Sequence, residues 1–460
     1  MIETYSHLLK KYDVPGPRYT SYPTILHWDA DANPTIDEWI ASVSESLYLS
    51  DRHATGAAIY VHIPFCRSLC TYCGCNSRIT CNTSVVQSYV KTVLREWELY
   101  RERLNHPRPI PLTELHLGGG TPTFLSAAEL EELVGGILEH VQQTPDAEFS
   151  VESDPRVTQP DQLEVLYRLG FRRLSLGIQD FDPMVQEAVN RIQSEEQVKA
   201  VTDLAREVGF NSINYDLIYG LPFQTQESIR MTVEAVTRLR PDRIAFYSYA
   251  HVPWVKPGQR HFTEDDLPSG DEKRALYEFG RGMLEDAGYR EVGMDHFALE
   301  SDSLWQASKE GTLHRNFMGY TRRLVSPLIG LGVSSISDSW DAFVQNEKQI
   351  ETYEERVAQG EIPIFRGHQL STEDKILRRH ILNLMSRFET NWDGADVYVP
   401  YLDTVAEKLD QPINDGLVKM QGKHCEITPN GKAFLRNICM AFDARLSREA
   451  PKTQLFSQTI

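Results

Sequence analysis

The chain has no apolar run approaching the ~20 residues of a membrane-crossing helix. It also has no low-complexity tract and no internal repeat beyond a strand–helix period. Cysteine is sparse, seven in 460 residues, and the odd number argues against a disulfide framework. Long basic runs are missing and the formal net charge is −18, so no nucleic-acid partner is expected. An anionic small molecule would have to be held by locally placed arginines. The opening Met1-Ile-Glu-Thr-Tyr-Ser-His7 has neither a basic patch nor an apolar core, so export is not expected and the cytoplasm is the predicted compartment. No long heptad pattern demands a partner helix, and the expectation is a monomer.

Three of the cysteines are close together. Cys66, Cys70 and Cys73 lie in Phe65-Cys-Arg-Ser-Leu-Cys-Thr-Tyr-Cys-Gly-Cys75, directly after an apolar stretch. Three thiolates can hold three irons of a 4Fe–4S cubane and leave the fourth open, and an open metal position distinguishes a reactive site from a closed one. The spacing is the signature of enzymes that bind S-adenosylmethionine (SAM) on that iron. Structural zinc competes, but it uses paired Cys-x-x-Cys ligands, and Cys75, Cys81, Cys425 and Cys439 form no such pair. Cys75 as a fourth ligand would close the cluster. Its separation of two residues from Cys73 makes that hard to arrange.

From about residue 57 strands and helices alternate. Strands are predicted at 57–63, 114–117, 147–152, 173–177, 212–218 and 243–249, with a helix over 85–104. Ser126 with Glu129 predicts a capping box and a helix start. Six β-α units point to an α/β fold, a partial (β/α)6 TIM-type barrel, with a doubly wound open sheet as the competing architecture. The residues of interest fall at strand ends, where such folds bind ligands. Residues 1–56 read as an N-terminal extension, whose Pro15-Gly-Pro-Arg-Tyr-Thr-Ser-Tyr-Pro23 run cannot be helical and suits a linker or a strap. Residues 57–365 read as the catalytic domain and 366–460 as a small, mostly helical, winged-helix-like domain. In the last, a hairpin flanks Gln421-Gly-Lys423 and a final helix runs from Thr428-Pro429 through Phe442.

Each candidate also has a plain structural reading. Gly118-Gly119-Gly120-Thr121-Pro122 offers bare backbone to an amino acid group, or is an ordinary turn. Glu152 can accept from an ammonium, or be a solvated charge. Asp216 lies in an apolar strand and needs a partner, either ribose hydroxyls or an internal ion pair. Tyr72 can pack on an adenine or on its own loop, and Arg191 can reach a carboxylate or sit in a surface pair.

The chain resembles the bacterial oxygen-independent coproporphyrinogen III oxidases, radical SAM enzymes of haem biosynthesis, over nearly its whole length. The resemblance rests on the 15–23 run, Tyr60-Val-His-Ile-Pro-Phe-Cys66, Cys73-Gly-Cys-Asn76, Gly118-Gly-Gly-Thr-Pro-Thr123 and Asp216-Leu-Ile-Tyr-Gly-Leu-Pro222. Further matches are Gly293-Met-Asp-His-Phe-Ala298, Leu313-His-Arg-Asn-Phe317 and Arg436-Asn-Ile-Cys439. It implies that Cys66, Cys70 and Cys73 hold the cluster. It further implies one SAM contacted by Tyr60, Gly119, Glu152 and Ile336, and a second by Gly120, Thr121, Gln179, Arg191, Asp216 and Ala250. A SAM-derived 5′-deoxyadenosyl radical would abstract hydrogen, so no catalytic side chain is named. The substrate would be a porphyrinogen, with Arg18, His296 and Arg315 as partners for its carboxylates, and the reductant a flavodoxin or ferredoxin type protein.

One loop departs from the family. Arg322-Arg-Leu-Val-Ser-Pro-Leu-Ile-Gly330 replaces a second Thr and an acidic-Leu-Leu-Gly run, and the paired arginines suit either a tetracarboxylate or solvent. Competing functions are a haem-binding or trafficking relative without oxidase activity, a porphyrin-modifying radical SAM methyltransferase, and a non-enzymatic regulator built on the C-terminal domain.

Overall fold

Six strands lie side by side in the order in which the chain makes them: β1 (Ala57–Ile63), β2 (Ile110–Gly119), β3 (Val141–Ser153), β4 (Phe171–Gln179), β5 (Ser212–Tyr219) and β6 (Arg243–Ser248). All neighbours are parallel. The structure, a computed structural model, describes residues 2–28, 33–104, 106–449 and 456–459. Leu328–Leu331 adds parallel to β1, and short antiparallel strands extend the sheet from there to Ile364–Gln369 and from β6 to Arg290–Val292. The order never reverses within β1–β6, so there is no topological switch point and the doubly wound arrangement is excluded. The six units curve as part of a barrel, left open between its two edge strands among the described residues.

The strand pattern explains the polarity of the interior. β1 is buried along its whole length, whereas β4 alternates, with Phe171, Leu174, Leu176 and Ile178 buried towards the helices. Successive side chains point to opposite faces, so Arg173, Ser175, Gly177 and Gln179 face the cavity. The same rule turns Glu114, His116, Glu148, Ser150, Glu152, Asn214 and Asp216 inward. β2 and β3 are each longer than the sequence predicts: Ile110–Leu112, interrupted by Pro111, still pairs with the polar Val141–Gln143 start of β3. The helix after β2 spans Ala127–Leu138 with the Ser126–Glu129 capping box formed.

The N-terminal extension contains two helices, Ile2–Tyr12 and Ile36–His53. Between them Tyr19 and Tyr22 are buried in a second hydrophobic cluster that is otherwise built from residues 376–444, together with Leu9 and Tyr12. That C-terminal region combines Thr372–Arg387 and Val405–Asn414 with a three-stranded antiparallel sheet, the predicted hairpin (Val418–Gln421, His424–Ile427) plus Glu389–Asn391. The final helix differs from expectation. A 3-10 turn at Asn430–Phe434 precedes a short helix at Leu435–Met440, and Ala444–Arg448 follows with Asp443 capping its N-terminus.

Candidate active site

The three cysteines sit on a loop that closes on itself. Phe65 and Cys66 pair with Arg78 and Ile79, Arg78 N–H donates to the Pro64 carbonyl at 2.6 Å, and Cys73 N–H turns back to the Cys70 carbonyl at 3.1 Å. The C-terminal end of helix Pro183–Ala188 and the turn after it hold the loop. Thr71 bonds the Val189 and Ala188 carbonyls, and Asn190 Nδ2 donates to the Leu69 carbonyl at 2.6 Å. Gln259, fully buried, donates to the carbonyls of both Tyr72 (3.0 Å) and Ala250 (3.2 Å), tying the loop to the end of β6.

All three thiols line a cavity of about 520 Å³ at the C-terminal ends of the strands. Cys66 Sγ lies 3.5 Å from Thr121 Oγ1, and Cys70 Sγ receives Arg191 Nη1 at 3.6 Å and Arg156 Nη2 at 3.8 Å. Burial pushes the Cys66 thiol up to about 11. Hydrogen bonding from Cys75 instead brings Cys73 down to about 6, towards the thiolate that iron requires. Among the described residues no three Cys, His, Asp or Glu side chains converge on a single ion.

The glycine turn fits against this loop. A Cβ on Gly120 would stand 2.8 Å from the Pro64 carbonyl oxygen and 2.9 Å from Cys66 Sγ, and one on Gly119 would stand 2.8 Å from the His62 ring. Gly119 also has φ +115°, a conformation that side-chain-bearing residues avoid. Its N–H donates to Glu152 Oε2 at 3.1 Å, while Glu152 Oε1 lies 3.3 Å from His116 Nε2. Burial pushes the Glu152 carboxyl up, but His116 and the Gly119 N–H outweigh it and the net shift is downward, leaving an ionised acceptor. Asp216 accepts from Ser175 Oγ and Asn214 Nδ2, each at 2.9 Å, and burial followed by the Glu152 charge raises it to about 6. Arg191 is buried, bonds the Gly177 carbonyl at 2.6 Å and Asp154 at 3.3 Å, and keeps a buried Nε with no hydrogen-bond partner.

Of the predicted site residues, Cys66, Cys70, Tyr72, Cys73, Gly119, Gly120, Thr121, Glu152, Gln179, Arg191 and Asp216 share this cavity wall. Tyr60 stands behind it, bonded to His62 Nδ1 at 2.9 Å with its ring stacked on His116. Ala250 is one layer back, under Gln259, and Ile336 packs near Trp28, Phe343 and Leu370. His296 is in the wall, oriented by Asp295 at 2.7 Å. Arg315 is buried behind Asp295 at 3.7 Å, and Arg18 lines a separate pocket of about 50 Å³. Arg322 and Arg323, each about one third exposed, are ion-paired: Arg322 with Glu148 (3.1 Å) and Arg323 with Asp146 (2.6 Å). They belong, with Arg173–Glu148 and Arg243–Asp302, to an ion-paired floor beneath the cavity, at the opposite end of the strands from the cysteines.

Sequence reasoning missed Asp154, Arg156, His62, His116 and Gln259. Asp154 and Arg156 follow Glu152 directly and had a strand-end signal, whereas Gln259 reaches the site only through a loop 187 residues beyond Tyr72. The donor set fits a cluster with SAM: three thiols face one cavity, a side-chain-free turn abuts one of them, and an unpartnered guanidinium N–H and acceptor carboxylates surround the remaining space.

Residues 60–236 match the pattern that defines the Radical SAM superfamily. The oxygen-independent coproporphyrinogen III oxidase of Escherichia coli (strain K12) is 40% identical over 464 residues, covering 98% of both chains. That of Pseudomonas aeruginosa is 38% identical over 462 residues, again 98% of both. The solved structure of coproporphyrinogen III oxidase (HemN) from Escherichia coli, described as a radical SAM enzyme, aligns with a TM-score of 0.86 at 38% identity, covering 93% of this chain and 98% of that one.

Proposed function

The chain belongs to the oxygen-independent coproporphyrinogen III oxidase family within the radical SAM superfamily, and from that premise we propose how its own residues serve the family's reaction. The reaction is the oxidative decarboxylation of two propionate side chains of coproporphyrinogen III to vinyl groups, giving protoporphyrinogen IX. When bound, the 4Fe–4S cluster and SAM would supply the radical chemistry that removes hydrogen from the propionate β-carbon and drives loss of CO2.

Cys66, Cys70 and Cys73 would hold three irons of the cluster. Gly119 lets the amino acid end of a SAM come close, Glu152 accepts from its ammonium or hydroxyls, and Tyr72 packs on the adenine, with Tyr60 and Ile336 supporting from behind. Gly120, Thr121, Gln179, Arg191, Asp216 and Ala250 serve a second SAM. Arg18, His296 and Arg315 receive substrate carboxylates. No acid–base pair is needed; the side chains position the reactants and exclude water. Residues 57–365 serve as the catalytic domain, whose sheet runs on through Gln369; within 1–56 the Pro15–Pro23 run is the strap while helix Ile36–His53 packs on the catalytic core, and 366–460 is the lid-like domain that the run binds. The enzyme works as a cytoplasmic monomer; no helix of the described residues is long and apolar enough to cross a membrane.

The reading is carried by one observation: three thiols, a side-chain-free glycine turn and the Glu152, Asp216 and Arg191 side chains meet on one cavity. Relatives named as oxidases leave the haem-carrier alternative without support. The test is anaerobic turnover of cluster-reconstituted protein with reductant, SAM and coproporphyrinogen III, read by mass spectrometry. Loss of two CO2 with 5′-deoxyadenosine release is expected; deoxyadenosine without decarboxylated porphyrin overturns the substrate assignment.

A further inference from the structure

Beside the cysteine loop, on its outer side, three cations stand without an acidic partner among the described residues. Lys256 Nζ donates to the Cys75 carbonyl at 3.2 Å. The Lys348 carbonyl accepts from Asn76 Nδ2 at 3.0 Å, which fixes Lys348 at the far end of the same loop. Arg366, whose Nε donates to Gln345, shares the Phe365 ring with Lys348: the Lys348 ammonium is 5.4 Å and the Arg366 guanidinium 5.9 Å from its centroid. Most charged side chains near this site are paired, as Arg78 is with Glu351. Among the described residues none of these three cations has an acidic partner within ion-pair distance. Partial burial, then Arg366 and Lys256, hold the Lys348 ammonium below its ordinary range, so the three repel one another. Concentrated unpaired positive charge is costly in itself, and it stands out on a chain of net charge −18.

Apolar side chains complete the patch. Phe365 is 42% exposed, Trp254 47% and Val255 60%. None of these six residues lines the cavity, so the patch looks outward from the loop rather than into the substrate space. An exposed aromatic and aliphatic group rimmed by charge of one sign is the composition of a protein-docking surface.

We propose that Trp254, Val255, Lys256, Lys348, Phe365 and Arg366 form the docking surface for a small acidic one-electron carrier protein that reduces the cluster. The inference rests on the radical SAM reading, which requires an external electron for each SAM cleaved. One electron passes from the carrier's reduced cofactor to the oxidised cluster; the carrier is oxidised by one electron, the cluster reduced by one, and no bond in this chain is made or broken. Charge steering suits such a transient encounter, where fast association matters more than a large buried area.

The test pairs cluster-reconstituted protein with a purified acidic flavodoxin as the probe. Kd is measured by calorimetry at low and high salt, and turnover is measured separately with dithionite. The K348E/R366E variant is expected to bind flavodoxin at least about tenfold more weakly at low salt, with the difference shrinking at high salt, while dithionite-driven turnover stays at the wild-type level. K348Q/R366Q, a milder change, is expected to fall between the two. Unchanged flavodoxin Kd in both variants overturns the proposal. So does a raised KM for coproporphyrinogen under dithionite, which makes the patch a substrate subsite. Wild-type protein that binds flavodoxin but shows no dithionite-driven turnover overturns the oxidase reading and leaves the docking surface standing.

Discussion

Arg191 donates to the Cys70 sulfur at 3.6 Å while its other terminal nitrogen bonds the Gly177 carbonyl at 2.6 Å, so one guanidinium joins the cysteine loop to the end of β4. The same group meets Asp154 at 3.3 Å. Lysine offers one compact ammonium in place of this planar fork and cannot span three acceptors on three elements. R191K is therefore expected to lower kcat/KM by about 10² or more through misplacement. The variant should also show a perturbed cluster absorption spectrum. Wild-type kinetics and spectrum in R191K would remove Arg191 from the site.

Gly120 is expected to be intolerant of even one methyl group. The added Cβ meets backbone at Pro64 and the sulfur of Cys66, neither of which is a flexible side-chain end. G120A should fold, since its φ is ordinary, yet bind iron substoichiometrically after anaerobic reconstitution. G119A adds a positive φ and a clash with the His62 ring, and should also lose stability by about 1–3 kcal/mol. Iron content and thermal unfolding separate the two effects.

Asp216 gives a pH-dependent signature. Its folded carboxyl is raised to about 6 by burial and the Glu152 charge, while its ordinary value is 3.8. The folded state thus binds the extra proton, and stability from this group is full below pH 4 and declines as pH rises through 6. The penalty at pH 8 is about 1–2 kcal/mol after allowance for water in the cavity. D216N removes the titration, so in cofactor-free protein it should gain stability relative to wild type between pH 5 and pH 8. A wild-type–variant difference that stays flat over this range would contradict the assignment.

Much of the site was legible because polar residues in β-strands recur with period two. Glu148, Ser150 and Glu152, or Asn214 and Asp216, announce an inward polar face as soon as the alternation is counted. The Ser126–Glu129 capping box was legible for the same local reason. What could not be read were contacts whose partners are far apart in the chain. Arg322 and Arg323 look like substrate-binding cations until β3 brings Glu148 and Asp146 beneath them. The last helix looked continuous because the apolar spacing from Ala433 to Phe442 is helical. Its first turn is instead drawn into a 3-10 turn, where Gly431 packs against the Leu417 backbone and leaves no room for a Cβ.

Glu96 is the hub behind the cavity. Fully buried, it accepts from the Gly332 N–H (2.8 Å), Asn346 Nδ2 (2.6 Å) and the Tyr353 hydroxyl (2.7 Å), linking helix Ser84–Leu104 to the loop after Leu328–Leu331. E96A strands the Gly332 N–H and the Tyr353 hydroxyl and leaves Asn346 Nδ2 only its 3.0 Å bond to the Gly332 carbonyl, so it should cost about 3–5 kcal/mol in urea unfolding, since each unsatisfied group carries about 1–3 kcal/mol of desolvation. Burial already raises Glu96 to about 7, so a neutral side chain is tolerated there. E96Q should accordingly cost far less than E96A. Equal losses for the two would mean that volume, not hydrogen bonding, is what matters.

Arg436 decides whether the N-terminal run can act as a strap. Its three guanidinium nitrogens bond the carbonyls of Gly16, Pro17 and Gln458, and Tyr19 bonds Asp443 at 3.0 Å a few residues on. Those bonds anchor the Pro15–Pro23 run to the C-terminal region, and Arg18 from the same run reaches the Ser248 carbonyl at 2.8 Å, at the end of β6. Proline removes backbone donors from the run, so it has few bonds of its own and depends on these side chains for its position. R436K keeps a positive charge but can satisfy only some of the three carbonyls, which leaves the others buried and unpaired. The expected result is faster proteolytic cleavage between residues 13 and 24 and a raised KM for the porphyrinogen, with cluster content unchanged because the cysteine loop is held by other residues. A run that stays protease-resistant in R436K, with unaltered KM, would show that Tyr19 and Tyr22 burial alone holds it. Loss of cluster in the same variant would instead mean that the strap supports the cysteine loop, which no contact between the two suggests.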